Sequence, residues 1–397
     1  MTVQVAAPES GVTEQGTTRW QARAKTISET VTQLSRIWHA AAEGAASAEP
    51  GGDVKVRMRT SVLTLVVVAQ QPEVAERALA IVGALASRHP SRAIIVSPGD
   101  PDGPTTFDAR ISAACQLAAT SGAEICTEEI LVRTGGELSQ HLSTVIAPLL
   151  IHDLPVVLWW PDEPPFASRR FEDLADMCDG LLVDSGDFRG DGRRGLAGMA
   201  AVVETGRSVH DMGWARLSLW RELLAGLFDH PLLIDVLPGV RSLRVDIARP
   251  SASLRISKAA CFSGWLAAML GWEVATPLVA SQSGDRLSGA FKIGKRQIPV
   301  EFRAIVAGHS SVPHSPGSLV RVEMELARGR ATTRARVTRQ ADHLLATADW
   351  NGAQVARRAG QLERFDEMPF LAEALDRTSL DRIFERALGP AVELSGR

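Results

Sequence analysis

Apolar residues recur along this chain with two different periods, and the switches between those periods divide it. Residues 1–18 hold few apolar positions and read as a disordered N-terminus. From Arg19 to Ala46, Ile27, Val31, Leu34, Ile37 and Trp38 recur at helical spacing, which predicts one helix over residues 19–46. Ala45 to Gly52, rich in Ala, Gly and Pro, reads as a linker. Val62 to Ala69 is a solid β-branched and leucine run, the pattern of a strand covered on both faces. Pro72 to Ser87 follows as a helix with Val74, Ala78, Ile81 and Leu85 on one side, and Ala93 to Ser97 is the next buried strand. Together they have the length of a βαβ crossover. Phe107, Ala109, Ile111, Ala113, Cys115 and Leu117 alternate strictly. With Glu124 to Val132 beyond a short Ser-Gly loop they predict an antiparallel hairpin. Leu138, Leu142, Val145, Ile146 and Leu149 mark one face of a helix beginning at Glu137. Leu154 to Trp160 then reads as a buried strand stopped by proline. A helix near Phe171 to Cys178 and a strand from Leu181 to Asp184 continue the alternation. Asp211 to Phe228 is an amphipathic helix with Asp211 as its N-cap.

His230-Pro231 and Leu237-Pro238-Gly239 mark the expected domain boundary, because the pattern changes beyond them. Val240 to Ile247 alternates as a strand. Ser257 to Trp272 is a helix with Cys261, Trp265, Leu266, Met269 and Leu270 facing inward. Alternating strands follow at Gly289 to Ile293, Pro299 to Val306, Leu319 to Leu326, Thr332 to Arg339 and His343 to Ala348, and Phe370 to Leu388 closes the chain as one or two helices. The predicted class is α/β. Residues 57–230 form a domain with a mixed, largely parallel sheet and helices on both faces. Residues 237–397 form an α+β domain with an antiparallel sheet.

Composition narrows the function. A formal net charge of −3 spread along the chain leaves no nucleic-acid footprint. The longest apolar runs, Val62 to Ala69 and Ala259 to Trp272, fall short of the roughly 20 residues that span a membrane, and no signal pattern opens the chain. Four scattered cysteines do not make a disulfide framework, so the cytoplasm is the expected compartment.

Candidate chemistry is sparse. Gly135-Gly136 ahead of a helix is the best anion site: free backbone N–H groups and the helix dipole attract phosphate, and Arg133 could add charge. The competing reading is a tight turn, since Glu137 would itself occupy the positive helix end. Trp159-Trp160-Pro161-Asp162-Glu163 ends a strand. Alternation sends adjacent side chains to opposite faces, so one ring enters the core and the other is offered to another part of the chain or to a partner protein. Asp162 and Glu163 lack a neighbouring His or Lys that would make them a catalytic pair. No histidine pair has metal-ligand spacing; His309 and His314 would need a third ligand from elsewhere. A hairpin turning at Thr120-Ser121 places Cys115 opposite Cys126. There they form either a disulfide or two packed thiols. A turn at Arg328-Gly329 would set Glu323 opposite Arg334 in a salt-bridged sheet face. No Gly-x-Gly-x-x-Gly, Gly-x-Ser-x-Gly, Cys-x-x-Cys or His-Glu-x-x-His motif occurs, so no cofactor is indicated.

Three segments resemble the OpcA family of glucose-6-phosphate dehydrogenase assembly proteins. They are Arg133-Thr-Gly-Gly-Glu-Leu-Ser-Gln-His-Leu with Leu158-Trp-Trp-Pro-Asp, then Asp211-Met-Gly-Trp-Ala-Arg-Leu-Ser-Leu-Trp-Arg-Glu-Leu-Leu, and Asp381-Arg-Ile-Phe-Glu-Arg-Ala-Leu, where Phe384 stands in place of an expected tyrosine. The resemblance covers roughly Arg57 to Leu388. It implies a non-catalytic protein that binds glucose-6-phosphate dehydrogenase and promotes its active oligomer in the oxidative pentose phosphate pathway. Trp159, Trp160, Asp162, Glu163, Trp214 and Trp220 are the expected partner-binding residues. Some photosynthetic members of the family are thought to respond to thioredoxin, so the resemblance also raises redox control, without assigning it to Cys115 and Cys126. The alternative is an enzyme or sensor that binds a phosphorylated metabolite at Arg133, Gly135 and Gly136.

Overall fold

The computed structural model describes residues 9–12, 18–46, 57–59, 61–117, 124–249, 254–305, 315–362, 367–376 and 381–396. The hairpin tip at Thr120-Ser121, the His309 and His314 loop and, apart from Ala45 and Ala46, which end a helix, the expected linker at residues 45–52 lie outside them. So does the expected disordered N-terminus, apart from Glu9–Val12 and Thr18. The chain forms two compact units, residues 1–182 with 367–376, and residues 183–366 with 377–397. The division therefore falls after Leu182, earlier than the proline-marked boundary near 230, because the helix Ser218–Leu227 packs in the second unit. Its Leu219 lies against Gly360, and Arg358 pairs with Asp229 at 3.0 Å.

The first unit contains β1 (Glu9–Val12), β2 (Thr18–Ala24), α1 (Ile27–Ala46), β3 (Arg57–Arg59), β4 (Leu63–Val68), α2 (Pro72–Leu85) and β5 (Ser91–Pro98). It continues with β6 (Thr106–Leu117), β7 (Glu124–Gly135), α3 (Glu137–Gln140), α4 (Leu142–Ile146), β8 (Val156–Trp159), α5 (Arg169–Ala175) and β9 (Gly180–Val183). The strands of this unit run in the order β1-β2-β6-β7-β5-β4-β8-β9, with β3 paired to β7. From β7 to β9 all neighbours are parallel. The β1, β2 and β6 edge is antiparallel. Every residue of β4 and β5 is buried, as the continuous apolar run of a doubly covered parallel strand requires.

Two expected helices differ. The stretch from Arg19 is strand β2 before it is helix. Trp20 and Ala24 are buried, and Trp20 pairs with Ala113 of β6, so sheet pairing overrides the helical reading until Ile27. The helix from Glu137 is broken at His141 (φ −112°, ψ 55°) into α3, α4 and a short 3-10 turn at Ala147–Leu149, although Leu142, Val145, Ile146 and Leu149 share the predicted buried face.

The second unit opens with α6 (Arg193–Glu204), β10 (Ser208–Asp211), α7 (Met212–Ala215), α8 (Ser218–Leu227) and α9 (Pro231–Ile234). The predicted helix from Asp211 is thus two helices, with Asp211 capping the first. Then come β11 (Val240–Ala248), α10 (Ser257–Leu270), β12 (Glu273–Ala280), β13 (Arg286–Ile293), β14 (Arg296–Ile305), β15 (Leu319–Arg328), β16 (Ala331–Arg339), β17 (His343–Trp350) and β18 (Ala353–Gln361). Helix α11 (Glu367–Asp376) belongs to the first unit and α12 (Arg382–Ser395) to the second. The sheet order is β12-β13-β14-β11-β15-β16-β17-β18, antiparallel except for the β11–β14 pair. Helix α10 is buried through its first two turns on every side, while Met269, expected to face inward, is exposed. A Cβ on Gly264 of α10 would lie 2.2 Å from the Ala387 carbonyl oxygen of α12, so the missing side chain lets these helices touch. On this sheet the register pairs Glu323 with Arg336 and Glu325 with Arg334, two residues off the expected pairing, because the turn falls at Gly329-Arg330, one residue later. Glu323 is also bonded by Arg244 at 3.0 Å.

Candidate functional site

Open α/β sheets place ligands beyond the carboxyl ends of their strands, where the strand order reverses. Here that point lies between β4 and β8, which pair side by side with Val67 opposite Trp159. The turn after β4 reads Ala69-Gln70-Gln71-Pro72. It lacks the glycines that let a backbone approach a pyrophosphate, and Pro72 has no N–H to offer at the start of α2. Strand β8 ends on Trp159, and Trp160 follows it directly.

Both rings are buried, Trp159 at 1% and Trp160 at 0% exposure, so the expectation that one faces a partner is corrected. The parallel strands here are buried throughout, so neither ring is offered outward. Trp160 donates its backbone N–H to the Leu182 carbonyl at 2.9 Å and meets Phe171 edge-on at 5.9 Å. Neither indole N–H has a hydrogen-bond partner among the described residues, nor does the Gln70 side-chain amide nitrogen. Asp162 and Glu163 are half-buried in the Pro161–Pro165 loop beyond.

The Gly135-Gly136 turn is occupied by its own backbone. The Gly136 N–H donates to the Asp100 carbonyl at 2.9 Å. Gly136 has φ 58°, and a Cβ there would lie 2.7 Å from the Thr105 nitrogen. The helix that follows is four residues long, and Arg133 is bonded to Glu76 at 3.2 Å. The turn therefore exists for close packing, and the phosphate reading of Arg133, Gly135 and Gly136 is corrected. Cys115 and Cys126 pair in the β6–β7 register and are joined by a disulfide; Cys178 and Cys261 are free and buried.

Trp214 and Trp220 are also core residues, at 3% and 5% exposure, which removes them as surface anchors. Trp214 Nε1 donates to Asp381 Oδ2 at 2.9 Å, its ring lies 5.4 Å from Phe384, and the Arg221 guanidinium sits 3.5 Å from its centroid. Asp381 in turn caps α12 by accepting from the Ile383 and Phe384 N–H groups. The segments beginning at Asp211 and Asp381 thus meet through one indole.

The densest chemistry was missed by motif reasoning. Asp184, Ser185, Asp211, Arg216 and Lys258 form a buried charged cluster at the end of β10 and the start of α10. Asp211 accepts four hydrogen bonds: from the Ser185 N–H at 2.8 Å, the Ser185 hydroxyl at 2.6 Å, and the Gly213 and Trp214 N–H groups at 2.8 and 3.1 Å. Burial, then the Asp184 charge, pushes its carboxyl up to about 6 against those donors. Asp184 accepts from the Gly186 N–H at 3.0 Å and from Arg216. Burial lowers the Lys258 ammonium, and Asp184 partly restores it. A carboxylate saturated by four donors holds two turns together; it is poorly placed to take a proton from a substrate. The only advance signal was Asp211 as an N-cap. Among the described residues no group of three or more His, Cys, Asp or Glu could hold a metal ion, and no helix is long and apolar enough to cross a membrane.

Two family models match the sequence. One is described as the glucose-6-phosphate dehydrogenase subunit N-terminal domain, over residues 82–200; the other is the C-terminal domain of the same subunit, over residues 207–388. The OxPP cycle protein OpcA of Nostoc punctiforme is 26% identical over 312 residues, 77% of this chain and 65% of that protein. The protein of the same name from Synechocystis is 28% identical over 218 residues, 55% of this chain and 43% of that protein. The chain thus spans less than two thirds of the length of either relative. Among solved structures, levoglucosan dehydrogenase in complex with NADH has a TM-score of 0.44 at 12% identity, covering 84% of this chain and 96% of its own. The myo-inositol 2-dehydrogenase of Lactobacillus plantarum has a TM-score of 0.43 at 10% identity, covering 84% and 96%.

Proposed function

We propose, from the premise that this chain belongs to the OpcA family, that it is a non-catalytic assembly factor for glucose-6-phosphate dehydrogenase in the oxidative pentose phosphate pathway. The observation that carries this reading is the pair of family matches, both described as domains of a glucose-6-phosphate dehydrogenase subunit, which together run from residue 82 to residue 388. Trp159 and Trp160 at the end of β8 are buried, and Asp211 in the buried charged cluster is held by four donors that tie two turns together. The mechanism is mass action. A factor that binds the assembled dehydrogenase better than its free subunits shifts the equilibrium toward assembly by that difference in affinity.

With four of the six expected anchors buried, Asp162 and Glu163 remain the proposed contact residues, carried on a proline-rich loop above the buried indoles. A loop charge at an interface acts mostly on association rate and its salt dependence. The cytoplasm is the proposed compartment. Size-exclusion chromatography of this chain mixed with its own organism's dehydrogenase tests the reading. Co-elution with raised dehydrogenase activity across the shared peak supports it; two separate peaks with unchanged activity refute it.

A further inference from the structure

On the amino-terminal side of the parallel sheet, at the opposite end from the β4–β8 reversal point, a half-open cavity of about 370 Å³ lies between α1 and the turn at Pro148-Leu149. Val31, Leu34 and Trp38 of α1 face Pro148 and Leu149 across it, and Arg92 closes one side. That volume lies near the lower end of the roughly 300–1,000 Å³ range of ligand pockets.

The polar floor is built rather than incidental. Arg92 is 8% exposed and stands at the second position of β5, where the strand register sets it beside Glu128 of β7. Glu128 is fully buried. Its Oε1 accepts from the Trp38 indole and its Oε2 from Arg92 Nε. Arg92 Nη1 donates to the Leu149 carbonyl at 2.8 Å. One carboxylate thus fixes both the indole and the guanidinium, and one carbonyl pins the guanidinium from the other side. Arg92 Nη2 donates to no described residue, and a guanidinium has only donors to offer.

We propose that this cavity binds a small planar organic acid, with its apolar body against Trp38, Leu34 and Leu149 and its carboxylate on Arg92 Nη2. The aliphatic and indole walls select the flat apolar body. The fixed cationic donor selects an oxyanion, since a charge-assisted hydrogen bond is roughly twice as strong as a neutral one. The ligand would touch α1, β5 and the turn entering β8 together, at the end of the sheet away from the usual α/β ligand position. Its effect would therefore be regulatory. The inference stands apart from the dehydrogenase reading and does not depend on it.

The test is isothermal titration of the full-length chain with 2-naphthoate, beside the neutral isostere 2-naphthalenemethanol. Saturable one-to-one binding of naphthoate, at least about tenfold tighter than the alcohol, is expected. Arg92→Lys keeps the charge and removes the fork, and should weaken naphthoate at least about tenfold. Should that variant fail to fold, Val31→Glu at the exposed rim repels the acid without touching the buried pair, and should weaken it to a similar extent. No saturable binding, equal binding of acid and alcohol, or undiminished binding by Val31→Glu would each overturn the proposal.

Discussion

The buried cluster gives the sharpest stability prediction, through Asp211→Asn. Two influences on Asp211 oppose each other: four donors favour its charged form, while burial and Asp184 disfavour it. In the folded chain the second pair wins, with a carboxyl at about 6 against an ordinary value of 3.8. The native state therefore holds a proton that the unfolded chain has released. The stability this provides is fully present below about pH 4 and is lost as pH rises through about 6. The separation of roughly 2.2 pH units corresponds to about 3 kcal/mol, at about 1.36 kcal/mol per unit. Asparagine does not titrate. It also presents an amide nitrogen where Asp211 Oδ2 receives the Trp214 N–H, a pH-independent cost of about 1–3 kcal/mol. Urea unfolding of both proteins at pH values from 4 to 7.5, with hydrogen exchange read on peptides across residues 208–227, isolates the difference. Wild-type stability minus variant stability should fall by about 2 kcal/mol over that range, the remainder being lost below pH 4. A flat difference would show that Asp211 titrates normally, and a rising one would show that its four donors outweigh burial; either result refutes the reasoning.

Other perturbations follow from the same contacts. Trp214→Phe removes the bond to Asp381 and part of the packing between α7 and α12, and should lower unfolding free energy by about 3 kcal/mol in chemical denaturation. Gly136→Ala forces a Cβ at φ 58° against the Thr105 nitrogen, and a loss of at least about 3 kcal/mol should appear as a lowered Tm. Reducing the Cys115–Cys126 bridge, which closes a loop of sequence separation 11, should cost up to about 3 kcal/mol. Two additional thiols should be titrated after reductant treatment.

Much of the architecture is visible in the periodicity. The all-buried run of β4, the β6–β7 alternation and the register that sets Cys115 opposite Cys126 follow from the residue pattern, whereas the disulfide between them does not. The edge strands are harder. β12 and β18 are largely exposed, and β12 contains Pro277, so neither has the inward alternation that marks a strand. β2 failed for a different reason: its partner β6 is about ninety residues away, and local spacing carries no trace of that pairing. The tryptophan reading broke on the same limit. Both Trp159 and Trp160 are buried, and whether a position at a strand end is covered depends on elements elsewhere in the chain. Lys258, Asp184 and Asp211 come from three separated segments and share no spacing at all, so only the fold assembles them.

The central claim is that this chain acts by binding a dehydrogenase and stabilising its assembled form. Mass photometry at nanomolar dehydrogenase, with the rate of glucose-6-phosphate oxidation followed as this chain is titrated in, tests it most directly. A saturable rise in rate that tracks a heavier species containing both proteins is the predicted result. An unchanged mass distribution with an unchanged rate, or oxidation by this chain alone, would contradict the account.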